Sequence, residues 1–153
     1  MRYHQYLKSP IGYIKVVAND KQVLRLSILK GDTVGSDKKN HLTQEVIEQL
    51  KDYFYKDAKK FDLPYEIKGS KFVKSVYAEV LKIPYASTLT YTEVAEKLGD
   101  PDKASAVGKV VAKNKLPVII PCHRVIKSTG DAGTSSYGQD KKQWLIDFEE
   151  SYK

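Results

Sequence analysis

Apolar and polar positions alternate along the first thirty residues, and the alternation predicts strands over residues 2–8, 13–18 and 22–29, the last with Leu24, Leu26 and Ile28 on one side. Turn residues Ser9-Pro10-Ile11-Gly12 and Asn19-Asp20 separate them, which describes an antiparallel meander. The period then lengthens. Val46, Ile47, Leu50, Tyr53 and Phe54 recur at helical spacing and predict a helix over residues 43–56. The lysine-rich, aperiodic stretch 57–69, which holds Pro64, divides the chain into an N-terminal module, residues 1–69, and a C-terminal domain, residues 70–153.

Beyond Ser70, a good N-cap, the pattern is helical: Phe72, Val73, Val76, Tyr77, Val80 and Leu81 line one face, and Pro84 closes the segment. Thr90-Tyr91-Thr92-Glu93 has the form of a capping box, with Val94, Ala95 and Leu98 as the buried side and Gly99 and Pro101 as the stop. A further helix over residues 103–113 turns Val107, Val110 and Val111 inward, so the pair has the outline of a helix-turn-helix, with an ordinary helical hairpin as the alternative. Its outward face, Ala104, Ser105, Gly108, Lys109 and Ala112, is nearly smooth. Small side chains let a backbone approach a nucleic-acid groove or another helix, and Lys109 favours the nucleic acid. In the last helix Asp140 is the expected cap, Trp144, Leu145 and Phe148 face the core, and Glu149 lies one position away.

Composition narrows the function. The chain has 153 residues, 41% of them hydrophobic, enough for one compact domain or two small ones. No apolar run approaches the roughly 18 residues of a membrane span, and Met1-Arg2-Tyr3-His4-Gln5-Tyr6 lacks a secretory core, so a soluble, intracellular protein is expected. A single cysteine excludes an internal disulfide, and three histidines make a Cys/His zinc cluster improbable. The net charge of +7 suggests a polyanionic partner. From Lys103 to Lys127 there are six lysines and arginines and no carboxylate, and Cys122 lies inside that window.

The apolar run Val118-Ile119-Ile120, bracketed by Pro117 and Pro121, leads directly into Cys122-His123-Arg124. A thiol with a pKa near ~8.5 is mostly protonated at neutral pH, and a neighbouring imidazole or cation raises the thiolate fraction. Adjacent side chains on a strand point to opposite faces, so His123 can assist Cys122 only if the chain leaves the strand there or a water bridges them. Glu149 can hold an imidazole by hydrogen bond, with a solvated glutamate near the chain end as the alternative. The polar loop from Ser128 to Gly138 is the kind of segment that forms a pocket wall.

The run Ile120-Pro121-Cys122-His123-Arg124-Val125 carries a resemblance. It is preceded by Ala106-Val107-Gly108, Asn114 and Pro117 and followed by Gly130, Gly133, Tyr137-Gly138, Lys142, Trp144-Leu145 and Glu149, and the whole resembles the O6-alkylguanine-DNA alkyltransferases. The fold this implies is α+β: a small N-terminal α/β module, antiparallel sheet plus helix, packed on a C-terminal helical DNA-binding domain with a winged-helix-like helix-turn-helix. The implied activity is irreversible transfer of an alkyl group from O6-alkylguanine, with O4-alkylthymine as a second base, to the protein's own cysteine after base flipping. By resemblance Cys122 is the nucleophile, His123 its base through a water, Glu149 the group orienting His123, Asn114 a hinge residue, and Tyr91 a neighbour of the flipped nucleotide. DNA contacts fall on Tyr91, Thr92, Ala104, Ser105, Gly108, Lys109 and Arg124, and the substrate pocket on Ala132, Gly133, Ser135, Ser136 and Tyr137. The resemblance implies no cofactor and no metal, double-stranded DNA bound through the minor groove as the partner, a monomer, and a cytoplasmic location in association with DNA.

Two positions depart from the family pattern. Ser105 stands where an arginine usually fills the gap left by the flipped base, which implies weaker flipping. Ser135 stands at the expected pocket tyrosine, leaving Tyr137 to narrow the entrance, so bulky pseudosubstrates are expected to react poorly. Competing readings are an alkyltransferase-like protein that recognises damage without transfer, a cysteine hydrolase using Cys122 and His123, and a helix-turn-helix regulator with an incidental thiol.

Overall fold

The computed structural model describes residues 1–153, which form two compact units, Met1–Glu66 and Ile67–Lys153. In the first, strands β1 (Tyr3–Ser9), β2 (Gly12–Ala18) and β3 (Val23–Ile28) form an antiparallel sheet in that order, with Leu7 opposite Ile14 and Ile14 opposite Ile28. The period-two pattern puts Leu7, Ile14, Val16, Ala18, Leu26 and Ile28 on the buried face. Helix α1 (His41–Tyr55) contributes Leu42, Val46, Ile47, Leu50, Tyr53 and Phe54 to that unit's core. It starts two residues before the expected Thr43. The Asn40 side chain accepts from the Thr43 amide, and the Thr43 hydroxyl accepts from the Asn40 amide, a reciprocal cap that satisfies two donors.

In the second unit α2 (Lys71–Leu81) is capped by Ser70 as expected, but Leu81 is exposed and the buried position passes to Ile83. A two-residue strand β4 (Leu89–Thr90) leads into α3 (Tyr91–Lys97), whose start is fixed by Thr90 and Glu93 in a capping box. Gly99, at φ +93°, ends α3, and a 3-10 turn at Pro101–Lys103 leads to α4 (Ala104–Ala112). Val107 and Val111 of α4 are buried, whereas Val110 is only half-buried and its carbonyl accepts from the Tyr77 hydroxyl at 2.8 Å.

The apolar run after Pro117 does not stay extended. Val118 takes φ +74°, and the Ile120 amide bonds back to the Leu116 carbonyl at 2.9 Å, which folds the run into a turn. Residues Cys122–Arg124 follow as a 3-10 turn, then β5 (Val125–Ile126) pairs parallel to β4. The last helix, α5 (Gln139–Ser151), takes Gly138 as N-cap with no side-chain bond. Asp140 therefore lies inside the first turn, where its charge suits the helix dipole, and is not the cap. The buried stripe of α5 is Lys142, Leu145 and Glu149, with Trp144 and Phe148 only half-buried.

Candidate active site

Cys122 is buried at the start of the 3-10 turn, and that turn answers the geometric objection raised by the sequence: the chain has left extended backbone before His123. Asn114, just past the end of α4, holds the approach. Its amide donates to the Ile120 carbonyl at 2.9 Å while its carbonyl oxygen accepts from the Leu116 amide at 2.9 Å, so one side chain spans the turn that delivers Cys122. Asn114 is buried with both ends of its amide engaged.

His123 has no exposed surface, and its Nε2 lies 2.6 Å from Glu149 Oε2. Burial pushes the His123 pKa below its ordinary value, against the raising effect of Glu149, so the ring is neutral at neutral pH. Burial alone would raise Glu149, but its hydrogen bonds with His123 and Arg124 outweigh it and hold the carboxyl well below the usual carboxylate range. An ionised carboxylate only accepts, so Nε2 carries the proton and Nδ1 carries the lone pair. Nδ1 is buried and has no hydrogen-bond partner in the protein.

Burial pushes the Cys122 thiol up to about 12, opposed by Lys142 and by a hydrogen bond with Asn114. In the resting protein it is a thiol and needs a base. A small cleft of about 10 Å³ opens beside it, lined by Val111, Asn114, Ser135, Ser136, Tyr137 and Lys142. Ser135 Oγ donates to the Gly138 carbonyl at 2.9 Å, a turn that carries the buried Tyr137 into the wall.

Of the residues expected in the pocket, Ser135, Ser136 and Tyr137 line the cleft, but Ala132 is fully buried and Gly133 packs against Tyr91. A Cβ at Gly133 would lie 2.3 Å from the Tyr91 hydroxyl, and φ there is +85°, so only glycine fits. Among the expected DNA contacts Ser105 and Lys109 are exposed, while Thr92, Ala104 and Gly108 are half-buried, with the Tyr91 ring lying over Gly108. Arg124 is a correction. It is buried, and each of its three nitrogens donates inside the protein, to Glu149 or to the Ile83 carbonyl, so its charge is turned toward Glu149 rather than toward a phosphate at the surface.

Lys142 was missed as a site residue. Its side chain is fully buried, Nζ stands 3.5 Å from the Tyr91 hydroxyl and 5.6 Å from that ring's centroid, and burial brings its pKa down to about 8, opposed by Cys122. The signal was the i, i+3, i+7 spacing of Lys142, Leu145 and Glu149, which places all three on one face. Nowhere does the chain gather three His, Cys, Asp or Glu side chains that could hold a metal ion.

Known proteins match this chain over nearly its full length. Residues 71–151 match the pattern of the 6-O-methylguanine DNA methyltransferase DNA binding domain, and residues 1–67 that of the same proteins' ribonuclease-like domain. The methylated-DNA–protein-cysteine methyltransferase of Methanosarcina barkeri is 36% identical over 154 residues, spanning 97% of this chain and 98% of that protein. The crystal structure of Mycobacterium tuberculosis O6-methylguanine methyltransferase covers 100% of this chain and 95% of its own at 29% identity and TM-score 0.88. A structure of the M. tuberculosis protein in complex with DNA covers 97% of this chain and 93% of its own, at 29% identity and TM-score 0.87. With a buried cysteine beside a neutral imidazole held by a carboxylate, and with both domain patterns in order along one chain, this protein belongs to the O6-alkylguanine-DNA alkyltransferase family.

Proposed function

We propose that this protein repairs DNA by direct reversal, taking the alkyl group of O6-alkylguanine onto Cys122 in a single turnover. The observation that carries the reading is a buried thiol that needs a base, followed in the same 3-10 turn by an imidazole whose Nε2 is tied to Glu149 and whose buried Nδ1 has no protein partner. A water between Nδ1 and Sγ passes the thiol proton to His123. The Sγ–C bond then forms as the O6–C bond breaks, its electron pair goes to the guanine oxygen, and a proton returns to the base. Lys142 supports the developing thiolate and holds the Tyr91 hydroxyl, which faces the flipped nucleotide.

α4 enters the minor groove with Ala104 and Ser105 at its leading end and Lys109 at the phosphates. The protein acts as a monomer on double-stranded DNA in the cytoplasm. Recognition without transfer is disfavoured, because the relatives that span nearly the full chain are named methyltransferases.

Peptide mass mapping after incubation with duplex DNA carrying one O6-methylguanine tests this. The expected result is one added methyl group on the peptide containing Cys122, absent with unmodified DNA and with Cys122→Ala. Loss of the lesion with no methyl on Cys122 would overturn the assignment.

A further inference from the structure

Arg124 lies next to the proposed base, yet its chemistry points inward. Nε donates to Glu149 Oε1 at 2.8 Å and Nη2 to Oε2 at 3.0 Å, a parallel fork that fixes the plane of the carboxylate. Nη1 donates to the Ile83 carbonyl at 2.8 Å, and the guanidinium carbon stands 5.6 Å from the Tyr85 ring centroid. Glu149 has two further donors: His123 Nε2 on Oε2, and the Ala86 amide on Oε1 at 3.1 Å. The four bonds give each lone-pair direction of the carboxylate a donor.

The fork decides which way Oε2 faces. A carboxylate held only by His123 can rotate about its last torsion, whereas one gripped by a planar guanidinium cannot do so without breaking two charge-assisted bonds. Ala86 takes φ +65°, an uncommon conformation for a residue with a Cβ, and its amide is aimed at the same carboxylate. The clamp therefore joins three pieces of chain: the 3-10 turn bearing Cys122 and His123, helix α5, and the 83–86 segment that leads through β4 to Tyr91.

We propose that Arg124 is a positioning residue of the acceptor site, acting through Glu149 to hold His123 in the one tautomer and orientation that turn Nδ1 toward the Cys122 proton. This rests on the reading of Cys122 as acceptor. Arg124 touches neither substrate nor sulfur in this role, and a lysine in its place supplies the charge without the fork.

Two measurements on the full-length protein test it: the single-turnover rate of methyl transfer from O6-methylguanine duplex DNA, and the rate of Cys122 alkylation by iodoacetamide without DNA, both against pH. Arg124→Lys, Arg124→Met, Glu149→Gln and the double variant Arg124→Met/Glu149→Gln are compared, each checked by circular dichroism. The charged groups facing His123 are Glu149 and Lys142 from α5 and, on its own turn, Arg124. Because the Arg124 charge opposes protonation of His123, the acid limb of both profiles should move to higher pH in Arg124→Met. Both rates should fall at least tenfold in Arg124→Met and by an intermediate factor in Arg124→Lys. The double variant should be no more than about threefold slower than Glu149→Gln, since neighbours acting as one unit are not additive.

Full additivity of the two losses would overturn the proposal, as would a folded Arg124→Lys with unchanged rates and pH profiles. So would an effect confined to DNA affinity, with the salt slope reduced by about one, which is the mark of a phosphate contact. If Arg124→Met fails to fold, Arg124→Lys carries the test by the same criteria. Should the wild-type protein accept no methyl group, the reading of function fails, while the iodoacetamide profiles still decide whether Arg124 governs Cys122.

Discussion

At the scale of single residues the site is a set of opposed demands on charge. His123 is buried and neutral, and Glu149 beside it is ionised because His123 and Arg124 donate to it. Both shifts make the fold sensitive to acid. Below the ordinary histidine value of 6.5 the unfolded chain takes up a proton that folded His123 resists. Below 4.5 the unfolded chain also protonates Glu149, which the folded protein keeps ionised. Stability against urea should thus fall in two stages as the pH is lowered, the first from about 6.5, and Glu149→Gln should flatten the second. A stability that stays level between pH 7 and 4 would contradict this assignment. Lys142 presents the reverse case. A fully buried ammonium whose pKa is brought down to about 8 costs stability at neutral pH, so Lys142→Met should raise stability by about 1 kcal/mol while slowing methyl transfer at least tenfold. Urea midpoints and single-turnover rates check the two halves; a slower protein that is also less stable would show that Lys142 is structural.

At the scale of elements, conformation at a few backbone positions decides where the chemistry falls. Gly133 accommodates the Tyr91 hydroxyl at a positive φ, so Gly133→Ala combines backbone strain of roughly 1–2 kcal/mol with displacement of Tyr91. It should lower stability by at least that amount and slow transfer, whereas Gly108→Ala, whose added Cβ would sit 3.5 Å from the Tyr91 ring, should change stability little. The order of the five α-helices and of β1 to β3 was legible because each carries its own period, as in the alternation of residues 13–18 and the capping box at Thr90 and Glu93, whereas the two-residue strands β4 and β5 are too short to carry one. The turn at Val118 was not legible, since an apolar run between two prolines reads as extended until the Asn114 side chain spans it. The last helix was placed correctly but its buried stripe was read from Trp144 and Phe148, because a lysine and a glutamate ordinarily mark the solvent side. Arg124 was misplaced for the same reason: its fork on Glu149 depends on a residue 25 positions away. The α4 proposal has its own check. A ligand that fills the minor groove should displace the protein from lesion DNA, and bulky groups in the major groove should not; the reverse would place α4 in the other groove.

At the scale of the molecule, both units belong to one family pattern, and no helix is long and apolar enough to cross a membrane. The net charge of +7 suits a partner whose backbone is a polyanion, and its contribution to affinity should weaken as salt is raised. The central claim is chemical and stoichiometric: the acceptor is the protein itself. Titrating a fixed amount of protein with increasing O6-methylguanine duplex, and counting repaired lesions at completion, tests it most directly. The account predicts a plateau at one lesion per protein molecule, with no repair by Cys122→Ala. Repair that continues beyond one lesion per molecule, or that survives loss of the thiol, would contradict it.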